Sequence, residues 1–239
     1  MKLSKTKIGE ISYTVYNTPM KIIEYKNNTN VIIEFQDKYK IKKRCTYQRF
    51  KEGRVHNPYD KSLYGIGFIG EINEKDAISY EYWHSMLNRC YGKRSYYNSY
   101  KEITVCDEWL CYANFKKWFD KNYYKVKNER MEIDKDIILK NNKIYSPNTC
   151  IFVPQKINNL FISINKKKAI YKNKSNTYYY YKRDRKRQKN ILVNNFKTYE
   201  EAYKDYKKQK EINIKKTINE YKNLLPLNIF NILNNYIIE

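Results

Sequence analysis

Cysteine, histidine and glycine are scarce in this chain of 239 residues, and their patterns exclude several kinds of site. The five cysteines form no C-x-x-C pair and there are only two histidines, so we expect neither a disulfide framework nor a structural zinc site. Cys106 and Cys111 could join Cys90 or His84 as zinc ligands, but buried reduced thiols are the favoured interpretation. The glycines of residues 65–70 lack the strand-to-helix context of a nucleotide loop and indicate a connection between modules.

Long apolar runs and acidic residues are scarce as well. No apolar run approaches the ~18 residues of a membrane-spanning helix, and no signal-peptide pattern opens the chain, so we expect a soluble, cytoplasmic protein. Only 25 Asp and Glu accompany 48 Lys and Arg, which gives a formal net charge of +23. This excess favours nucleic acid as the partner, because Lys and Arg that neutralise phosphates release counterions. An anionic membrane surface is the competing partner.

What is present predicts an α+β protein of three modules. Residues 1–70 form an N-terminal β module, because short alternating segments at residues 20–25, 31–35 and 39–45 are separated by polar turns. Residues 75–162 form a central region that begins with a helix over residues 79–91. That helix has an apolar stripe typical of a core-facing helix, made of Tyr82, Trp83, Met86, Leu87 and Cys90.

A second helix from about Asn114 directs Phe115, Trp118 and Phe119 inward. Asp107 and Glu108 lie just before it, and we interpret them as structural acids.

A ββα unit follows in the central region. A strand over residues 131–139, a polar turn around Asn141 and Asn142, and a strand over residues 149–153 precede a helix that opens after Pro154. Asp134 lies on the first strand and Asn158 one turn into the helix, so a carboxylate and an amide oxygen could converge. Hard oxygen ligands of this kind suit Mg²⁺.

Several motifs of this region resemble the phage HNH-type endonucleases. They are Y-x-x-W-H-S-M-L-x-R-C-Y, V-C-D-E-W-L, N-F-K-K-W-F, D-K-D-I-I-L and Y-S-P-N-T-C-I-F-V-P, in this order over about residues 80–161. The resemblance implies a phage- or prophage-encoded, double-stranded-DNA-binding protein of the homing-endonuclease type. It also implies that Asp134 and Asn158 hold Mg²⁺ for phosphodiester cleavage.

Two positions depart from the pattern of that family. Lys135 replaces the general-base histidine, and Thr149, or Asn148 if the turn holds one more residue, replaces the middle asparagine. A protonated lysine cannot take a proton from water, so cleavage is expected to be weak or lost, with Lys135 or a nearby group left to orient the water.

Residues 168–239 read as a three-stranded sheet backed by a long helix. A strand over residues 177–183, a basic turn and a strand over residues 190–193 come first, and Thr198 with Glu201 forms a capping box. The pattern N-N-F-x-T-x-E-E-A-x-x-x-Y is similar to the ethylene-response-factor, or Apetala-type, DNA-binding domain, in which the sheet enters the major groove. The resemblance assigns DNA contacts to the basic residues Lys182, Arg183, Arg185, Lys186, Arg187 and Lys189, with Tyr179 and Tyr181 as aromatic partners on one strand face.

The three arginines of this hairpin favour specific readout, since arginine can bind guanine bidentately, but a solvated hairpin tip is the alternative. A catalytically inactive regulator, or an inhibitor of a host defence nucleoprotein of the CRISPR type, is the second functional hypothesis. An RNA-binding protein is the third. The apolar segment 226–238 packs back on its domain or forms a dimer contact, and the sequence leaves the oligomeric state open.

Overall fold

The computed structural model describes residues 7–74, 76–93, 102–161, 169–184 and 189–238. Its mixture of helices and small antiparallel sheets confirms the α+β class. The chain divides into two compact units, Met1–Lys121 and Asn122–Glu239, so the predicted central region contributes to both. Within the described ranges, no helix combines the length and the apolar character needed to cross a membrane.

The first unit opens with a four-stranded antiparallel sheet in which neighbouring strands follow one another in the chain. Its elements are β1 (Ile11–Tyr13), β2 (Pro19–Asn27), β3 (Asn30–Phe35), β4 (Lys42–Cys45) and the short helix α1 (Tyr47–Lys51). The period-2 alternation of β3 buries Val31, Ile33 and Phe35 on one face. These side chains form a core with Met20 and Phe50.

Three helices and a two-residue strand complete the first unit, namely α2 (Ala77–Tyr91), β5 (Thr104–Val105), α3 (Asp107–Leu110) and α4 (Tyr112–Asn122). Helix α2 begins two residues before the predicted start, because the Asp76 carboxylate accepts hydrogen bonds from the backbone N–H groups of Ile78 and Ser79. The α2 stripe buries Trp83, whose indole Nε1 donates to the Trp109 carbonyl at 2.7 Å.

The ββα unit opens the second unit. It consists of β6 (Met131–Asp134), β7 (Ile144–Tyr145), β8 (Ile151–Pro154) and α5 (Gln155–Phe161). Strands β6 and β8 pair antiparallel, with Met131 opposite Pro154 and Asp134 opposite Ile151, and α5 packs on both. The first strand was predicted too long: it ends at Asp134 because this carboxylate binds the next backbone N–H groups and turns the chain.

A second, three-stranded antiparallel sheet lies beyond the ββα unit, with β10 in the middle. Its elements and the helices after it are β9 (Tyr171–Lys172), β10 (Tyr178–Asp184), β11 (Lys189–Phe196), α6 (Tyr199–Glu220) and α7 (Leu227–Asn234). Both hydrogen bonds of the predicted capping box at Thr198 and Glu201 are present. Helix α6 covers one face of the sheet, and buried Tyr180 and Ala202 meet between them.

The chain end packs back on its own unit. The rings of Phe161 and Tyr236 lie 4.7 Å apart between centroids, and the Lys140 ammonium donates to the Ile237 carbonyl at 2.7 Å. The Ile238 backbone N–H donates to Glu211 on α6 at 3.0 Å, and the Ile238 side chain is buried. The C-terminal residues Tyr236 to Ile238 therefore contact both the turn after β6 and helix α6.

Candidate nucleic-acid interface and metal site

Alternate residues of β10 lie on opposite faces of the C-terminal sheet. Tyr180 and Lys182 face α6, where the Tyr180 hydroxyl donates to Asp205 and the Lys182 ammonium donates to Gln209, both at 2.6 Å. Burial, together with the hydrogen bond to Asp205, raises the pKa of Tyr180. Lys182 therefore lies on the sheet face that packs against α6, although the predicted DNA contacts grouped it with Tyr179 and Tyr181.

The opposite face of the sheet carries three tyrosines and is not covered by α6. Tyr171 and Tyr179 stack with ring centroids 5.4 Å apart, and Tyr181 lies edge-on to them at 6.0 and 5.8 Å. Tyr171 is 46% exposed and Tyr181 is 51% exposed. We call these three residues the tyrosine face.

The basic hairpin lies at one end of this sheet. Lys189 is exposed and pairs in register with Asp184, and the backbone of Arg183 pairs with Asn190. Arg185, Lys186 and Arg187 lie outside the described residues. At the other end of β11, a bulge accompanies Asn195, which adopts a φ of 71°.

The ββα unit places Asp134 at the end of β6, where it holds the turn. One oxygen, Oδ1, accepts the N–H groups of Asp136 at 2.7 Å and Ile137 at 2.8 Å. Burial raises the pKa of Asp134, and these two hydrogen bonds partly oppose that rise. The other oxygen, Oδ2, makes no hydrogen bond within the described ranges and is available to a further ligand.

Lys135, expected where the resembled family has a general base, is instead held by its own loop. Its side chain is only 6% exposed, and its ammonium donates to both carboxylate oxygens of Asp136 and to the Asn142 carbonyl. An ammonium with three acceptors has no lone pair to receive a proton. This geometry gives Lys135 a structural role and leaves it poorly placed to orient water.

Asn142 holds the same loop through three hydrogen bonds and was missed as a site residue. Its amide Nδ2 donates to the carbonyls of Lys135 at 2.9 Å and Ile144 at 2.7 Å, and its Oδ1 accepts the Ile144 N–H at 3.1 Å. The two residues predicted at the position of the middle asparagine of the HNH pattern do not hold this loop. Asn148 is exposed, and Thr149 makes local hydrogen bonds with Ser146 and Ile144. The sequence Asn141-Asn142-Lys143 predicted a turn but did not indicate that Asn142 would be buried.

Asn158 has an unusual environment on α5. Its side-chain oxygen Oδ1 is buried and has no hydrogen-bond partner in the described part of the chain. A buried amide oxygen without a partner costs about 1–3 kcal/mol, so a ligand that approaches this atom would remove the cost. The neighbouring Asn159 is exposed.

Asp134 and Asn158 each carry a hard oxygen donor of the kind that Mg²⁺ binds. In the described ranges, no three His, Cys, Asp or Glu side chains lie close enough together to hold a metal ion. A metal at the ββα unit would therefore need the Asn158 amide besides Asp134. Two protein oxygens fit Mg²⁺, which usually keeps several waters and takes substrate phosphates.

Comparisons with protein-family models, with curated proteins and with solved structures found no match for this chain.

Proposed function

We propose that this protein binds double-stranded DNA through its C-terminal sheet and the basic hairpin between β10 and β11. The observation that carries the proposal is the sheet face that α6 leaves uncovered, whose middle strand β10 leads directly into the basic residues Arg185, Lys186 and Arg187. A major groove admits a β-ribbon, and its phosphates attract a chain with a net charge of +23.

The hairpin supplies the contacts on which duplex affinity should depend. Arg185, Lys186 and Arg187 are adjacent in sequence, and arginines can bind both phosphates and guanine edges. Lys182 contributes less to this surface, since its ammonium is engaged with Gln209 on the helix side.

The test is selection from a random-sequence duplex library at two salt concentrations, followed by affinity measurements on the enriched duplex. Replacing Arg185, Lys186 and Arg187 with alanine should weaken binding and lower the slope of log K against log salt by up to ~3, near 0.9 per phosphate contact. A matched control replaces three exposed lysines of α6, Lys204, Lys208 and Lys215, with alanine. Equal losses in both triple variants would mean that binding is only diffuse attraction, and absence of duplex binding would disprove the proposal.

A second candidate function is Mg²⁺-dependent cleavage of the bound DNA at the ββα unit. The specific observation in its favour is the buried, unpartnered Oδ1 of Asn158 on the same unit as Asp134. A bound Mg²⁺ would supply charge stabilisation to the scissile phosphate and the leaving oxygen. Asp134 and Asn158 would hold that ion, and Lys135 would keep the loop in place.

The same library assay separates these candidates when it is run with Mg²⁺ and with a chelator. Mg²⁺-dependent nicks that disappear in Asp134→Asn would establish the nuclease. Enriched sequences without nicks would identify a DNA-binding regulator with an HNH-like scaffold. Salt-sensitive binding without enrichment would favour RNA or a host nucleoprotein as the partner.

A further inference from the structure

We propose that the tyrosine face binds unpaired DNA bases by stacking, so that the preferred substrate is a duplex with a locally unpaired segment. This inference rests on the proposed DNA-binding function and names its substrate class. It begins from the rings of Tyr171, Tyr179 and Tyr181, whose centroids lie 5.4–6.0 Å apart on one uncovered surface.

A fully paired duplex offers few surfaces on which an exposed aromatic ring can stack. Its bases are stacked on one another, so a protein in a groove meets base edges, which are read by hydrogen-bonding groups. An unpaired base exposes its π-face and stacks on aromatic side chains whatever its sequence. Two phenol rings that are about half exposed, at Tyr171 and Tyr181, match an unpaired base better than a groove.

The surroundings of these rings suit a polyanionic strand. By register, Asn190 and Leu192 lie on this face, and the exposed Asn194 and Asn195 lie at the bulge opposite Tyr179, so none of these four neighbours carries a carboxylate. The carboxylate of Asp205 lies behind the sheet, where it accepts the hydrogen bond of Tyr180. The strand β10, which carries Tyr179 and Tyr181, leads in sequence to the basic residues Arg185, Lys186 and Arg187.

The rings also stand on a fixed support. Tyr180, between Tyr179 and Tyr181 in sequence, is buried against α6 and hydrogen-bonded to it. The strand that carries the two exposed-face tyrosines is therefore held in place before a ligand arrives. Stacking on preorganised rings loses less conformational entropy than stacking on mobile ones.

The experiment compares fluorescence anisotropy of four labelled probes: a DNA duplex, the same duplex with a central unpaired bubble, the single DNA strand, and an RNA strand of the same sequence. The test variant is Tyr179→Leu with Tyr181→Leu. A second variant, Tyr179→Phe with Tyr181→Phe, keeps the rings and removes the hydroxyls. The control, Tyr13→Leu with Tyr16→Leu, removes two exposed tyrosines of the first unit.

Wild-type protein should bind the bubble duplex at least ~10-fold more tightly than the duplex, since one stacked base changes affinity by about 5-fold to 150-fold. The leucine pair should lose this preference, because its affinity for the bubble duplex should fall much more than its affinity for the paired duplex, while the phenylalanine pair and the control should retain the preference. Unchanged melting temperatures for all variants establish that the sheet is intact.

Four results would overturn the inference. Equal wild-type affinity for the duplex and the bubble duplex would show that there is no preference for unpaired bases. Equal losses of affinity for both probes in the leucine pair would show that the tyrosines contact paired DNA. Both results would leave the proposed DNA-binding function in place. Loss of the preference in the phenylalanine pair would assign the contacts to hydroxyl groups. An RNA strand bound much more tightly than the DNA strand would change the partner. Absence of binding to every DNA probe, by contrast, is the failure of the proposed function.

Discussion

The Lys135 ammonium donates hydrogen bonds to both carboxylate oxygens of its neighbour Asp136, at 2.8 and 2.7 Å. The resemblance to HNH-type nucleases predicts the general-base position at Lys135, and this buried lysine also donates to the Asn142 carbonyl at 2.7 Å. A positive charge is thus built into the loop that follows Asp134. Hydrogen bonds among its own residues hold this loop.

Replacing Lys135 with methionine should therefore destabilise the protein by about 1–3 kcal/mol, because the buried Asn142 carbonyl loses its donor. Urea denaturation measures the change. Lys127→Met, at an exposed position, is the control and should have little effect. Lys135→His should lose stability as well and should not raise nicking. A rise in nicking would show that the site lacks only its base.

Asn142 should matter more to stability than the two residues predicted for the middle asparagine. Asn142→Ala removes three hydrogen bonds from a buried loop and should cost about 2–4 kcal/mol in the free energy of unfolding. Asn148→Ala, at an exposed position in the next turn, between β7 and β8, is the matched control and should be close to neutral. Similar losses in both variants would contradict the assignment of Asn142 as the residue that holds the loop.

Periodicity and capping predicted much of this fold, because both are local properties of the chain. The alternation in β3 and the apolar stripe of α2 are core faces, and Thr198 and Glu201 form the predicted box. The prediction of a strand over residues 131–139 was wrong, because the apolar residues continue beyond the end of the strand. The Asp134 side chain turns the backbone after four residues.

The site was less predictable, because its contacts depend on side-chain direction and burial. Lys182 was assigned to the DNA surface by resemblance. Because side chains alternate along a strand, Lys182 lies on the same face as Tyr180, two residues earlier, and on the opposite face from Tyr179 and Tyr181. No local pattern marks Asn142 as buried rather than exposed in its turn, and none reveals that the Asn158 oxygen lacks a partner.

The unpartnered oxygen of Asn158 gives a metal test that needs no cleavage assay. In a chelator, Asn158→Leu should be more stable than wild type by about 1–2 kcal/mol, because it removes a buried acceptor without a donor. Added Mg²⁺ should stabilise wild type by about 2.7 kcal/mol at 100 times its Kd and should not stabilise Asn158→Leu. Asp134→Asn, which keeps an oxygen for the turn, should lose the Mg²⁺ effect too. An equal Mg²⁺ shift in all three proteins, measured by thermal unfolding, would rule out this site.

Lys210 on α6 should make stability depend on pH. Its ammonium lies 3.3 Å from the Tyr206 hydroxyl, and burial lowers the pKa of Lys210 to about 8. An exposed lysine in the unfolded chain has a pKa near ~10.4, so between these values the unfolded state binds the proton that the folded state has released. The free energy of unfolding therefore gains a contribution that rises with pH from about 8 upward, and below about 8 the folded state bears the full cost of the buried charge.

Lys210→Met removes this titration, so its stability relative to wild type should be highest at pH ~6.5 and should decline by pH ~9.5. Urea denaturation of both proteins at the two pH values measures the difference. Lys208→Met, at an exposed position of the same helix, should show no such trend. A stability difference between Lys210→Met and wild type that stays constant with pH would mean that Lys210 keeps its proton in the folded protein, with its charge balanced by groups around Tyr206.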